Sequence, residues 1–427
     1  MKILITNGKA FINDEFVEKD ILIEDKNIVK IADVIEDAAD KIIDAENKVV
    51  LPGFIDLHAH LRDPGQTHKE DIVTGTAAAA KGGFTTICAM PNTYPVVDNI
   101  ATVEYIQRKA ADLGKCKVKV IGAMTKGSEG KEISEYAIMK EGGIVAVSDD
   151  GGCVQNAKLA QNCMKYAYNF DLPVIVHAED YNLAGSGLVN AGKISSQLGL
   201  GGIPGLAEEI IIARDIMLAE SIGVRLHIAH ISTAKGIELV RKAKADGIAI
   251  TTEVTPHHLT MNEDAVYTFD TNTKVKPPLR REKDRLACIE ALKDGTIDYI
   301  ATDHAPHSDY EKEKEYNIAP FGINGFETAF ASLNTCLVKK QILDLTTLVK
   351  AMSEKPAQFL GIKTGKIEEG YLADLNIIDL DADINFNRDT ILSKSINTPY
   401  INQTLQGKVE YTICEGRITW ENDEIER

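Results

Sequence analysis

LPVIVHAED, residues 172–180, decides how this chain is read. An unbroken apolar run stops abruptly at His177, followed by Glu179 and Asp180. A strand that faces water on one side alternates apolar and polar residues. A strand without alternation is covered on both faces, as the strands of parallel sheets are. The pattern recurs in FIDLHAH (54–60), GIVAVSDDG (143–151), VRLHIAH (224–230) and IDYIATDH (297–304). Working outward, strands are expected near 53–58, 84–89, 117–122, 143–148, 173–177, 224–230, 248–253 and 297–302. Helices are expected between them, for example at 98–113, 157–169, 206–221, 234–245 and 282–293. Eight buried strands alternating with helices predict an α/β fold, a (β/α)8 TIM barrel. An open doubly wound sheet is the competitor, but no GxGxxG follows an early strand, which weighs against its dinucleotide-binding form.

The two ends of the chain read differently. KILITNGKAF, ILIEDKNIVKI and KVVLPG near the start, and ADLNIIDL and VEYTICEGRITW near the finish, are short strands with turns. Residues 1–50 and 366–427 are therefore expected to form one small β-sandwich domain beside a barrel of residues 51–365. Over 427 residues the chain is 44% apolar and 26% charged, ordinary for a globular enzyme. Its net charge of −17 argues against nucleic acid or an anionic membrane as partner. An acidic substrate would need local cations. The start, MKILITNGKAF, lacks the apolar core of a signal peptide, and no run approaches the length of a membrane span. The seven cysteines are scattered and form no CxxC, as expected of reduced, mostly buried thiols in a cytoplasmic protein.

Several of the ten histidines stand where predicted strands end. His58 and His60, two apart on one strand, point to the same face. His177, His230 and Asp303 close their strands, and Asp149 and Asp150 close another. In a parallel barrel these ends converge on the C-terminal mouth. Neutral imidazoles with carboxylates are the donors that divalent metals accept, zinc above all. A single HxH is usually incidental and a single Asp-Asp-Gly is a good turn, but five strand ends carrying donors together point to a metal site.

These residues also carry a resemblance. LPGFIDLHAHLRDPG (51–65), AMPNT (89–93), SDDG (148–151), VIVHAED (174–180), IAHIST (228–233), EVTPHHL (253–259), PPLR (277–280), ATDHAPH (301–307) and APFGINGFETA (319–329) are similar to the amidohydrolase superfamily, and within it to bacterial class I dihydroorotases. The resemblance implies two Zn2+ per subunit. His58, His60 and Asp303 would hold one ion and His177 and His230 the other. Where many relatives bridge the metals with a carboxylated lysine, this strand ends in Ser-Asp-Asp. Asp150 is assigned as the bridge, with Asp149 the weaker candidate because neighbouring strand residues face opposite ways.

The implied activity is the reversible cyclisation of N-carbamoyl-L-aspartate to (S)-dihydroorotate plus water, a step of de novo pyrimidine (UMP) synthesis, through a binuclear-metal hydroxide, with Asp303 as the proton carrier. Arg62, Asn92 and His307 resemble the family's contacts to the substrate carboxylate, and the backbone around Phe321 and Gly322 its contacts to the pyrimidine ring. His257 and His258 read as structural, and His227 and His68 as doing no chemistry. Lys276 departs from the family, which usually has Asn immediately before PPLR. Lysine donates hydrogen bonds but accepts none, so either ring recognition differs or Lys276 turns outward.

Two rivals stand beside this reading. One is a related cyclic-amide hydrolase acting on hydantoin, allantoin or dihydropyrimidine. The other is a non-catalytic scaffold for aspartate transcarbamoylase, which would be expected to have broken ligand positions. Family habit suggests a homodimer, association with an aspartate transcarbamoylase is left open, and no residue pattern decides either.

Overall fold

A computed structural model describes residues 1–422. Its centre is a sheet of eight parallel strands paired in chain order: β1 (Phe54–Ala59), β2 (Phe84–Ala89), β3 (Lys117–Ala123), β4 (Ile144–Ser148), β5 (Val174–Val176), β6 (Leu226–Ile228), β7 (Ile250–Val254) and β8 (Tyr299–Ile300). The sheet closes on itself beyond β8. The His60 amide donates to the His304 carbonyl at 2.8 Å, and Ala59 bridges His304 in parallel. Asp56 on β1 fastens the same seam, accepting from the Thr302 amide at 3.0 Å and from its hydroxyl. Burial pushes the Asp56 carboxyl up to about 7 against those hydrogen bonds.

The expected helices are present at Ile100–Leu113, Ala157–Asn169, Leu206–Ile222, Ala234–Ala245 and Glu282–Lys293. Three of them start on a side chain that accepts a free first-turn amide: Asn99 from Thr102, Asn156 from Leu159 and Thr233 from Gly236. The same strands serve two cores. Phe54, Phe84, Val120, Ile144, Val174 and Ile228 pack in the large cluster with the helices. Ile55, Leu57, Cys88, Ile121, Ala146 and Ile175 form a second cluster with Ala357 from the helix Glu354–Leu360. That double coverage is why the strands read as continuous apolar runs.

Both chain ends contribute to two further sheets. Strands Lys2–Thr6, Asp20–Glu24, Asn27–Ala32 and Lys41–Asp44 make one. Strands Lys9–Ile12, Glu15–Glu18, Val49–Pro52, Leu375–Asn385, Thr404–Cys414 and Arg417–Glu421 make the other. They share a core in which Ile3, Ile5, Ile21 and Ile23 meet Val50, Leu375, Ile377 and Ile413. One stretch of the C-terminal part leaves these sheets for the barrel rim: the Ser395 hydroxyl donates to the Lys69 carbonyl at 2.7 Å, and Lys394 pairs with Asp71. Among the described residues no helix is long and apolar enough to cross a membrane, and six of the seven cysteines are buried.

Candidate active site

The strand ends bring six donor side chains to one buried point. Asp150, just past β4, is the hub. Its Oδ2 lies 3.3 Å from His58 Nε2 and 3.4 Å from His60 Nε2, while its Oδ1 lies 3.4 Å from His177 Nδ1 and 3.5 Å from His230 Nε2. One carboxylate oxygen thus faces each pair of imidazoles. Asp303 Oδ1 stands 3.0 Å from His60 Nε2 and 3.5 Å from His58 Nε2. Asp149 points elsewhere, accepting from the Thr125 amide at 3.0 Å and from the Thr125 hydroxyl.

The backbone is bent to achieve this. Arg62, His230 and Asp303 have φ of 58°, 32° and 48°, a left-handed region that costs a side-chain-bearing residue energy and recurs at functional sites.

The donor set fits divalent cations. His58 Nε2 and Asp150 Oδ1 are buried with no hydrogen-bond partner among the described residues. His230 Nε2 and His177 Nδ1 face each other at 2.9 Å, a contact of two lone pairs unless a cation or proton lies between. Three triads, His58–His60–Asp150, Asp150–His177–His230 and His58–His230–Asp303, each gather their donor atoms within 4.8 Å. The charges are strongly interdependent. Burial pushes the His58 imidazolium down, but Asp150, Asp303 and Glu253 outweigh it and raise it well above its ordinary value. Burial likewise pushes Asp150 and Asp303 up, and the imidazoles outweigh it and hold both carboxyls low. These carboxylates stay anionic only with positive charge among them, which cations would supply.

Each imidazole of the His58 and His60 pair is oriented from behind. His58 Nδ1 meets Glu253 Oε1 at 2.7 Å, and Glu253 Oε2 meets His227 Nε2 at 3.0 Å. His227 Nδ1 in turn meets the Thr251 hydroxyl at 2.9 Å. His60 Nδ1 donates to Asn92 Oδ1 at 2.8 Å. A carboxylate or amide oxygen on Nδ1 fixes the tautomer that presents the Nε2 lone pair. Sequence reasoning missed Glu253 and dismissed His227. The signal was available: a glutamate inside the buried strand ITTEV needs a partner at that depth. His258 is structural, its ring held by Thr255 at 2.7 Å and by the Pro277 carbonyl at 3.0 Å. His257 differs: it is buried, with Nε2 unpartnered among the described residues.

Beside the cluster lies a buried guanidinium. Arg62 is 8% exposed and, among the described residues, has no carboxylate in ion-pair contact. Its Nε donates to the Pro306 carbonyl at 3.1 Å, and its Nη2 lies 3.4 Å from His307 Nε2. Burial, then the cations Arg62, Lys69 and Lys312, press His307 down to about 2, so its ring is neutral.

The Gly322 amide donates to the Lys274 carbonyl at 2.9 Å, and its carbonyl accepts from Lys312 Nζ at 3.0 Å and Asn397 Nδ2 at 3.2 Å. Both backbone groups of Gly322 are therefore engaged within the protein. Lys276 does not turn away into solvent. It pairs with buried Glu179 at 2.7 Å, and its Nζ lies 5.5 Å from the centre of the Phe321 ring.

Comparison with known proteins places the chain among relatives. A family model described as dihydro-orotase-like matches residues 47–236, and one described as amidohydrolase family matches 222–420. A dihydroorotase from Caldanaerobacter subterraneus subsp. tengcongensis is 49% identical over 99% of this chain and 98% of its own length. One from a Thermoanaerobacter species is 50% identical over 99% of this chain and 98% of its own. Among solved structures, the L-hydantoinase (dihydropyrimidinase) of Arthrobacter aurescens superposes with a TM-score of 0.89 at 26% identity, covering 98% of this chain and 96% of that one.

Proposed function

The chain belongs to the dihydroorotase family of amidohydrolases, and on that premise we propose that it interconverts N-carbamoyl-L-aspartate and (S)-dihydroorotate in pyrimidine synthesis. The observation that carries the reading is Arg62: a buried guanidinium with no carboxylate in ion-pair contact among the described residues, close enough to the cluster to feel the charge of Asp303 and Asp150. Dihydroorotate carries a carboxylate that such a group takes up, and hydantoin and allantoin carry none.

Two zinc ions fit the donors, with His58, His60 and Asp303 on one side, His177 and His230 on the other and Asp150 shared; when bound they would supply Lewis acidity at the ring carbonyl and a nucleophilic water at neutral pH. Asp303 takes the proton of the attacking water and delivers it to the departing ring nitrogen, and the same group runs the reverse path on closure. Arg62 holds the substrate carboxylate with His307 alongside, which aligns the ring amide with Asp303. Asn92 keeps His60 in register and has its amide nitrogen left for the same carboxylate. Glu179 and Lys276 form the wall facing Phe321.

The Arthrobacter hydantoinase likeness keeps the cyclic-amide rival in play. Assay of the purified protein on dihydroorotate, hydantoin and allantoin separates the two. Turnover of dihydroorotate well above the others is expected, and negligible turnover of it beside either one rejects the proposal. Metal analysis, with about two zinc per chain expected, tests the cofactor and the scaffold rival together.

Residues 1–50 with 366–427 are read as one unit and 51–365 as the other, since strands from both ends share the core around Ile3 and Leu375. The unpaired, mostly buried cysteines fit the cytoplasm. A homodimer and a transcarbamoylase complex are the assemblies that family habit suggests, and sizing the protein alone and mixed with aspartate transcarbamoylase tests both.

A further inference from the structure

Lys312 and Lys274 are buried, 6% and 2% exposed, and neither has a carboxylate in ion-pair contact among the described residues. A buried ammonium without a counterion is costly, so what it holds matters. Lys274 Nζ donates to the carbonyls of Tyr316 at 2.7 Å and Ala319 at 2.6 Å. Lys312 Nζ donates to those of Pro320 at 3.1 Å and Gly322 at 3.0 Å. Both cations are spent on one short stretch of backbone, 316–322. Asn397 reaches the same point from the C-terminal part. Its Nδ2 donates to the carbonyls of Gly322 and Ala305, both at 3.2 Å, while its Oδ1 accepts the His307 amide at 3.2 Å.

The grip is tight around Gly322. Its φ is 120°, and a Cβ there would meet Ala305 Cβ at 2.8 Å and His307 Nε2 at 3.3 Å. Fixing Gly322 therefore fixes its neighbours, Phe321 on one side and the His307 ring on the other. No amide or carboxylate takes the Phe321 backbone groups among the described residues, while those of Gly322 are consumed.

The geometry points to Lys312 and Asn397 as positioning residues: by locking the 320–322 backbone and His307 together, they hold the substrate-facing wall in its receptive shape. Neither residue is needed for the chemistry itself. This inference rests on the reading that the wall faces substrate. It extends that reading to two side chains that touch neither substrate nor metal donors.

The test uses the metal-loaded full chain and whichever cyclic amide the wild type turns over. In Lys312→Met and Asn397→Ala, KM rises roughly tenfold or more while kcat stays within about threefold and metal content is unchanged. Lys312→Arg, which keeps N–H donors at that position, recovers most of the loss. Hydrogen exchange at the Gly322 amide speeds up in both weakened variants. If Lys312→Met fails to fold, Asn397→Ala and the exchange measurement decide alone. Unchanged KM in a folded variant, or a loss confined to kcat with metal release, overturns the inference. A wild type that ignores dihydroorotate but hydrolyses hydantoin rejects the proposed substrate and leaves this test intact on hydantoin.

Discussion

His58 on β1 and Glu253 on β7, two strands apart across the closing seam of the barrel, meet at 2.7 Å in a wholly buried contact. The imidazole facing Asp150 and Asp303 thus has its far nitrogen committed to a carboxylate. Burial would push Glu253 up, but His58 and His227 outweigh it and bring it down to about 2, so the partner is an anion at every working pH. Glu253→Ala removes that anion and frees the His58 ring. Metal affinity is expected to fall by roughly 10–100-fold, read by competition with a chelator. An unchanged affinity would show that the contact is merely structural.

The two adjacent aspartates separate by partner. Asp150 faces four imidazoles, whereas Asp149 caps Thr125. Asp150→Ala should abolish retention of the metal pair and with it activity. Asp149→Asn should keep bound metal and lose stability of about 1–3 kcal/mol, as a buried hydrogen-bonded group would. Metal analysis beside thermal unfolding gives both numbers, and reversed outcomes would exchange the two roles.

Arg62 supplies the test of substrate class. Replacing it by methionine deletes a charged hydrogen-bond donor, worth about 1.5–3 kcal/mol against a carboxylate. KM for dihydroorotate should rise by roughly 10–150-fold, with little change for a hydantoin that lacks the carboxylate. Equal losses on both substrates would remove Arg62 from carboxylate recognition.

Lys312 gives stability a pH signature. Burial, followed by repulsion from Lys274, lowers its ammonium from 10.5 to about 7, with Asp270 and Glu311 opposing weakly and His307 also nearby. Between those values the unfolded chain binds the extra proton, so stability rises with pH through this window and is flat below it. The unfolding free energy of the wild type relative to Lys312→Met should therefore climb from pH 7 toward pH 10. A flat or falling difference would show that the ammonium stays charged in the fold.

Much of this architecture is legible in the sequence because burial on both faces leaves no room for polar alternation. LPVIV and FIDL announce their strands, and the residues that break the runs, His58, His177, His230 and Asp303, mark the rim. Alternation says only that Asp149 and Asp150 face different ways; the resemblance chose Asp150, which is the one that faces the four imidazoles. Glu253 was harder to see: it sits among apolar and hydroxyl neighbours, and only the approach of His58, 195 residues away, reveals its task. Lys276 was recognised as a departure, but its pairing with Glu179 depends on two loops whose spacing no local pattern encodes. Asn397 gave no signal, since its value lies in reach rather than in a motif.

That reach orders events in time. The last barrel strand ends at Ile300, yet His307 and Gly322 are tied down by a residue 90 and 75 positions later in the chain. During synthesis on the ribosome, all eight barrel strands emerge before the segment that steadies their rim. A chain stopped before Asn397 would carry all six donors of the cluster yet lack the side chain that ties His307 to Gly322.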